Sequence, residues 1–291
     1  MRTLEFDIAE PVDELILAPT GTSTRYQAVT QLTVTGGKIT AVATEADLGL
    51  GAVLIAPDGR GPVRLHYAVA DSAHAYGYPE AAFRPRDTRH TRAAVALTDA
   101  SRAIMQEAGG GRAGIEALVA EAEARFEYGH PKNRFTDGLD AVPYLSCGLT
   151  PGSCVDINTY LVASLRAAGY EAAYLYGCFF PQERGGMTDD GHCWVATRYQ
   201  GEILEWDIAH HIKAGLGPTR PGLNPRPGER VAVTHSMGHH YELGDRNACL
   251  KLLGGPMRIP KEGEPQRLKL KARVSAVSEK SQTSRTMIPV G

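Results

Sequence analysis

The chain has 291 residues, with 31 Lys plus Arg against 33 Asp plus Glu and a formal net charge of −2. At this length about three quarters of the unfolded surface can be buried, so a core forms without disulfides or metals, and the length suggests one or two domains. Near-neutral charge argues against a dedicated nucleic-acid binder, 43 % hydrophobic and 22 % charged residues exclude a disordered or coiled-coil chain, and no run reaches the ~18 to 20 apolar residues of a membrane span.

In chain order, residues 1–95 read as a β-rich N-terminal region. Leu32–Val42 reads as a hairpin around Gly36-Gly37, and Pro62–Val69 alternates like a strand. Asp99–Ala108 reads as a helix stopped by Gly109-Gly110-Gly111. Ile115, Leu118, Val119, Ala122 and Phe126 then recur at i, i+3, i+4, i+7 and i+11, the signature of an amphipathic helix. Residues 129–152 form a polar connection. From Val155, the positions Ile157, Leu161, Leu165 and Ala168 keep helical spacing until Gly169. Tyr170–Phe180 is apolar enough for a buried strand, and 181–191 is a loop. His192–Tyr199 and Glu202–Ile208 read as strands joined at Gln200-Gly201. Gly and Pro crowd the loop 215–228, and Arg230–Thr234 and Arg267–Ala276 read as strands. The expected division is a core over 96–277, including these C-terminal strands, and a mobile Ser/Lys/Thr-rich tail over 278–291.

Five cysteines occur, at 147, 154, 178, 193 and 249, with no C-x-x-C spacing. The N-terminus has no apolar leader core. Free thiols and a cytoplasmic location are the expectation.

Gly152-Ser153-Cys154 sits where a loop becomes a helix. A thiol there feels unpaired N–H groups and the positive end of the helix dipole, both of which favour thiolate. Gly152 lets the backbone approach closely, and the Cys154 N–H can face a developing oxyanion. Position alone leaves open that Cys154 is a small core residue. The hairpin adds weight. If Gln200-Gly201 is a two-residue turn, Tyr199 opposes Glu202 and Trp194 opposes Asp207. His192 and Asp207 are then diagonal neighbours on one face, within side-chain reach. A three-residue loop would put Asp207 on the opposite face.

Gly152-Ser153-Cys154-Val155-Asp156, Leu165-Arg166-Ala167-Ala168-Gly169, His192-Cys193-Trp194-Val195 and Trp206-Asp207 together resemble the transglutaminase-like superfamily over residues 112–212. The resemblance implies an α+β fold. Its papain-like, transglutaminase-like core packs a nucleophile-bearing helix on an antiparallel sheet, after the β-rich N-terminal region. It implies a Cys154 nucleophile, a His192 base and an orienting Asp207, and acyl transfer or hydrolysis through a thioester. Bound oxyanion or substrate would meet Gly152, Ser153 and Trp194, with Tyr128 the candidate side-chain oxyanion donor. A non-catalytic binding or scaffold module on the same fold is the alternative.

No cofactor and no metal are expected. Asp189-Asp190 offers too few oxygens for a calcium loop. His235, His239 and His240 straddle Gly238 in a strand-and-turn pattern without the glutamate of a zinc-protease helix, and read as loop histidines lining a cleft. Cys193 alternates away from His192 and reads as core. The partner class is a peptide, protein or small amide, with neither nucleic acid nor membrane.

Overall fold

Alternating burial along the N-terminal strands builds two sheets whose apolar sides face each other. The computed structural model describes residues 1–71, 77–222, 225–244, 246–276 and 286–289. One sheet has six strands in the order Met187–Thr188, Leu270–Ala276, Arg2–Ile8, Val63–Asp71, Gln27–Thr35 and Thr286–Pro289. The other has five, Gln266–Arg267, Met257–Ile259, Leu15–Pro19, Gly51–Pro57 and Gly37–Thr44. Leu4, Phe6 and Ile8 from the first sheet meet Ile16, Val53 and Ile55 from the second in one core. The Tyr67 hydroxyl donates to the Pro19 carbonyl at 2.8 Å, which pins the sheets together.

That core also takes in Cys178, Phe180, Val231 and Val233 from a third, four-stranded sheet. Each such buried apolar side chain contributes about 1.5–3 kcal/mol relative to exposure. The β-rich region is therefore joined to the site's sheet by shared packing.

The third sheet is antiparallel in the order Glu202–Trp206, Gly191–Tyr199, Glu171–Pro181, Gly228–His235. The helix Cys154–Ala167 lies against it, with every residue from Asp156 to Leu165 buried. Helices Val95–Glu107 and Gly111–Arg125 pack against that helix in the same core. Ile115, Leu118, Val119 and Ala122 fill the gap against Ile157, Leu161 and Leu165, while Tyr174 and Val195 rise from the sheet. The molecule is thus a mixed α/β fold, with antiparallel sheets and a β-rich N-terminal region. Among the described residues no helix is long and apolar enough to cross a membrane.

Four expectations change. Leu32–Val42 does not close as a hairpin: the strands on either side of Gly36 enter different sheets. Gly36 has φ +75°, and a Cβ there would lie 2.3 Å from the Pro62 carbonyl oxygen, so this glycine makes a corner between sheets. The strands Met257–Ile259 and Leu270–Ala276 pair with Leu15–Pro19 and Arg2–Ile8, at the opposite end of the sequence. In the segment expected to be a tail, Thr286–Pro289 pair with Gln31–Val34, and 277–285 and 290–291 lie outside the described residues. The second amphipathic helix stops at Arg125, because Phe126–Tyr128 forms a parallel pair with Thr150–Gly152. The strand expected over 202–208 ends at Trp206, where Asp207 caps a helix over Ile208–Ala214 closed by Gly215 at φ +62°.

Candidate active site

Cys154 is the first residue of its helix. Its N–H therefore has no acceptor within the helix. Ser153 is the N-cap, and Asp156 Oδ2 accepts from the Ser153 N–H at 2.9 Å and from its hydroxyl at 2.6 Å. A Cβ on Gly152 would lie 2.6 Å from the Phe126 ring, so the chain enters the helix only with glycine there. Asn158 Nδ2 donates to the carbonyls of Cys154 at 2.8 Å and Cys193 at 2.9 Å. This one side chain ties the first helical turn to the start of the strand Gly191–Tyr199.

The hairpin has the two-residue register. Tyr199 opposes Glu202 and Val195 opposes Trp206, around Gln200 at φ +49° and Gly201 at φ +82°. Asp207 follows on the His192 face. His192 Nε2 lies 2.9 Å from Asp207 Oδ2, and both side chains are buried. With the carboxylate ionised, Nε2–H donates, which leaves Nδ1 for the Cys154 sulfur.

The charges support an ion pair. A hydrogen bond from the Cys193 thiol, and then contact with His192, hold the Cys154 thiol well below the ordinary thiol range against the effect of burial. Burial, and then Cys154, push Cys193 well above that range, so it stays protonated and donates. Burial alone would lower His192, but Asp207 and Cys154 outweigh it and hold the imidazole above its ordinary value. Burial opposes ionisation of Asp207, yet His192 and Arg230 keep it well below the usual carboxylate range. A thiolate beside an imidazolium is the form these shifts favour.

Asp207 has more partners than the sequence suggests. Its Oδ1 accepts from the His210 N–H at 3.0 Å, and Oδ2 also meets His210 Nδ1 at 3.0 Å and the Arg230 guanidinium. The His210 ring stacks on His192 with centroids 3.9 Å apart and planes 9° apart. Burial lowers His210, so it is the neutral member of the pair. Arg230 also lies over Trp194, 5.2 Å from the ring centroid. The Asp207-x-x-His210 cap was readable as an N-cap spacing. Arg230 carried no signal beyond one charge opening an apolar strand.

Of the remaining candidates, Tyr128 is brought near. It pairs with Gly152 in the parallel two-strand unit, it is half-buried, and burial followed by Cys154 pushes its hydroxyl up to about 12. Ser153 caps the helix: its N–H and its hydroxyl both donate to Asp156. Gly152 likewise serves packing against Phe126. Trp194 is buried, and its ring lies 6.3 Å from the His192 ring with the planes 23° apart, packed beside the imidazole.

The histidine cluster is split. His239 accepts at Nδ1 from the Leu253 N–H at 3.1 Å and donates from Nε2 to the His235 carbonyl at 3.0 Å, so both ring nitrogens pin the chain. His235 is fully buried, and burial drives it down to about 3. A different set, His192, Asp207 and His210, places three ligand atoms within 4.8 Å of one another. Arg230 already lies on that carboxylate, and a metal cation would have to face its charge.

Residues 98–206 match the transglutaminase-like superfamily. No curated protein sequence matches the chain. Among solved structures, the chain is similar to a candidate cysteine protease from Cytophaga hutchinsonii, at 12 % identity over 94 % of this chain and 97 % of that one, with a TM-score of 0.46. It is also similar to the periplasmic domain of TgpA from Pseudomonas aeruginosa, at 14 % identity over 75 % of this chain and 92 % of that one, with a TM-score of 0.34.

Proposed function

From the premise that residues 98–206 form a transglutaminase-like domain, we propose that the protein is a thiol-dependent acyltransferase or hydrolase acting at an amide or ester carbonyl. The observation that carries this reading is the buried line from the Cys154 sulfur through His192 to Asp207, with the thiol low and the imidazole high. The Cys154 thiolate attacks the carbonyl carbon, and the negative charge moves to its oxygen. The Cys154 N–H faces that oxyanion, with the Tyr128 hydroxyl, still protonated at neutral pH, as the side-chain donor. Collapse breaks the bond to the leaving group. The imidazolium of His192 gives that group its proton, and a thioester on Cys154 remains. Water, or a second amine, then loses a proton to His192 and attacks the thioester, whose C–S bond breaks to return the Cys154 thiolate. Water yields an acid; an amine yields a new amide. Asp207 holds the ring so that Nδ1 faces sulfur throughout, and Arg230 and His210 hold Asp207. The acyl donor on this reading is a peptide, protein or small amide.

The test is p-nitrophenyl acetate, an activated ester small enough to need no specific pocket. Wild type should release nitrophenol in a burst and carry one acetyl group, mapped by mass spectrometry to Cys154. Adding an amine should show whether the thioester prefers amine or water. An acetyl group elsewhere, or equal release by Cys154→Ala, would overturn the proposal.

A further inference from the structure

A second feature adjoins the site and takes no part in the mechanism above. A cavity of about 840 Å³ opens beside the Cys154–Ala167 helix, with Val155, the residue after Cys154, in its wall. Six cationic side chains line it: Arg86, Arg89, Arg92, Arg134, Lys251 and Arg267. Three acidic residues share it, Asp87, Asp137 and Glu264. Arg92 is paired with Asp87 at 2.6 Å, Arg86 with Glu45 at 2.8 Å and with Asp47, and Arg134 with Asp156 at 3.1 Å. The Asp137 carboxylate is turned to the Arg134 N–H at 2.8 Å. Arg89, Lys251 and Arg267 have no ion-pair partner among the described residues.

Of these three cations Arg89 and Arg267 are exposed at the rim, and Lys251 is half-buried in the wall. Burial, and then Arg134, pull its ammonium below the ordinary lysine value; Arg267 adds to this, and Asp156 and Asp137 offset only part. His90, in the same wall, is pushed down to about 4 by burial, then by Lys251 and Arg89, so it is a neutral hydrogen-bonding group there. An anion in the cavity would offset the positive charge that crowds Lys251. Arginine in particular matches carboxylate and phosphate oxygens in pairs.

The position of the cavity says what the anion belongs to. Leu252, Met257 and Arg267 form a wall common to this cavity and to a neighbouring cleft of about 630 Å³. That cleft is floored by Phe6, Tyr176 and Leu268 and reaches Gly191, the residue before His192. One cavity thus touches the neighbour of Cys154, and the other the neighbour of His192.

We propose that the basic cavity is the subsite for an anionic portion of the substrate, carrying carboxylate or phosphate groups held by Arg89, Lys251 and Arg267. Its assignment to substrate rests on the acyl-transfer reading of Cys154; the binding itself does not.

The test is calorimetric titration of the full chain with pyrophosphate and, separately, with the peptide Glu-Glu-Glu, at low salt. At least one should bind, and the tighter one identifies phosphate or carboxylate as the natural group. Lys251→Met and Arg267→Gln should each weaken binding at least about tenfold. Cys154→Ala should bind like wild type, so loss of turnover and loss of anion binding are read separately. Lys251→Met should also unfold at no lower temperature than wild type, since it removes a repelled charge and keeps the side-chain volume. Should that variant not fold, Arg267→Gln, at an exposed position, carries the same test. Failure of both probes to bind, or wild-type affinity in Arg267→Gln, would overturn the proposal.

Discussion

Two clusters of charge flank the first turn of the Cys154–Ala167 helix, and they are built in opposite ways. Around Asp207, every charge is buried and answered: the carboxylate meets His192, His210 and Arg230 within one packed unit. Around Lys251, cations outnumber carboxylates, and three of them line the cavity with no ion-pair partner among the described residues. A closed, paired network holds a group in one orientation and one protonation state. An open, unpaired one has binding energy left for a ligand. The difference separates the machinery that sets up the reaction from the surface that chooses what reacts.

The sharpest way to break this division is to disable the paired side. His192→Ala should cut turnover by on the order of 10⁴-fold, because both the proton acceptor and the donor for the leaving group are lost. Steady-state release of nitrophenol from p-nitrophenyl acetate measures it. Near-wild-type turnover would remove His192 from the mechanism. Asp207→Ala should cost less, since a ring can be reoriented in part while a missing base cannot be replaced. It also strands Arg230, so its activity has to be compared with its thermal unfolding.

Arg230→Met probes the same network through stability. Removing one partner of a buried ion pair typically costs about 3–5 kcal/mol, and denaturant unfolding should show a loss of that size. A loss under about 1 kcal/mol, the range of an exposed pair, would mean that Asp207 does not depend on Arg230.

The pH dependence of activity follows from the directions of two shifts. Cys154 lies below its ordinary value, so the thiolate forms as pH rises through that lowered pKa, earlier than the ~8.5 of a free thiol. His192 lies above its ordinary ~6.5, so the imidazolium persists until pH rises through that raised value. Activity should therefore be bell-shaped, its acid limb set by Cys154 and its alkaline limb by His192. Asp207→Asn should narrow the bell from the alkaline side, because the carboxylate is the largest influence raising His192. The smallest expected effect is on the open side. Lys251→Met should leave nitrophenol release from the small neutral ester unchanged within about twofold, because acetate carries no anionic part for the basic cavity.

The two sides also differed in how far the sequence reveals them. Cys154, His192 and Asp207 could be related from local rules alone: a helix-start thiol, and a two-residue turn whose register puts His192 and Asp207 on one face. Arg230 could not, because nothing local says that Gly228–His235 lies beside Glu171–Pro181 with a bulge between Ala232 and Thr234. The helix at Ile208–Ala214 was hidden by an apolar run that reads equally as strand, although Asp207 and Gly215 mark its ends. The basic cavity draws on residues 86–90, 92, 134, 251 and 267, which only the tertiary fold gathers. The C-terminal strands likewise find partners more than 200 residues away, beyond any pattern of spacing.

Alkylation selectivity reads the ionisation of Cys154 itself. Cys147 and Cys249 are exposed, whereas Cys154 is 8 % exposed, so accessibility alone would put Cys154 behind them. At pH about 6 an ordinary thiol is well under 1 % ionised. Limiting iodoacetamide at this pH should modify Cys154 first, His192→Ala should remove the preference, and Cys178 and Cys193 should stay unlabelled; this is the result expected of a thiolate at Cys154. Modification of Cys147 and Cys249 ahead of Cys154 in the folded wild-type protein would contradict it.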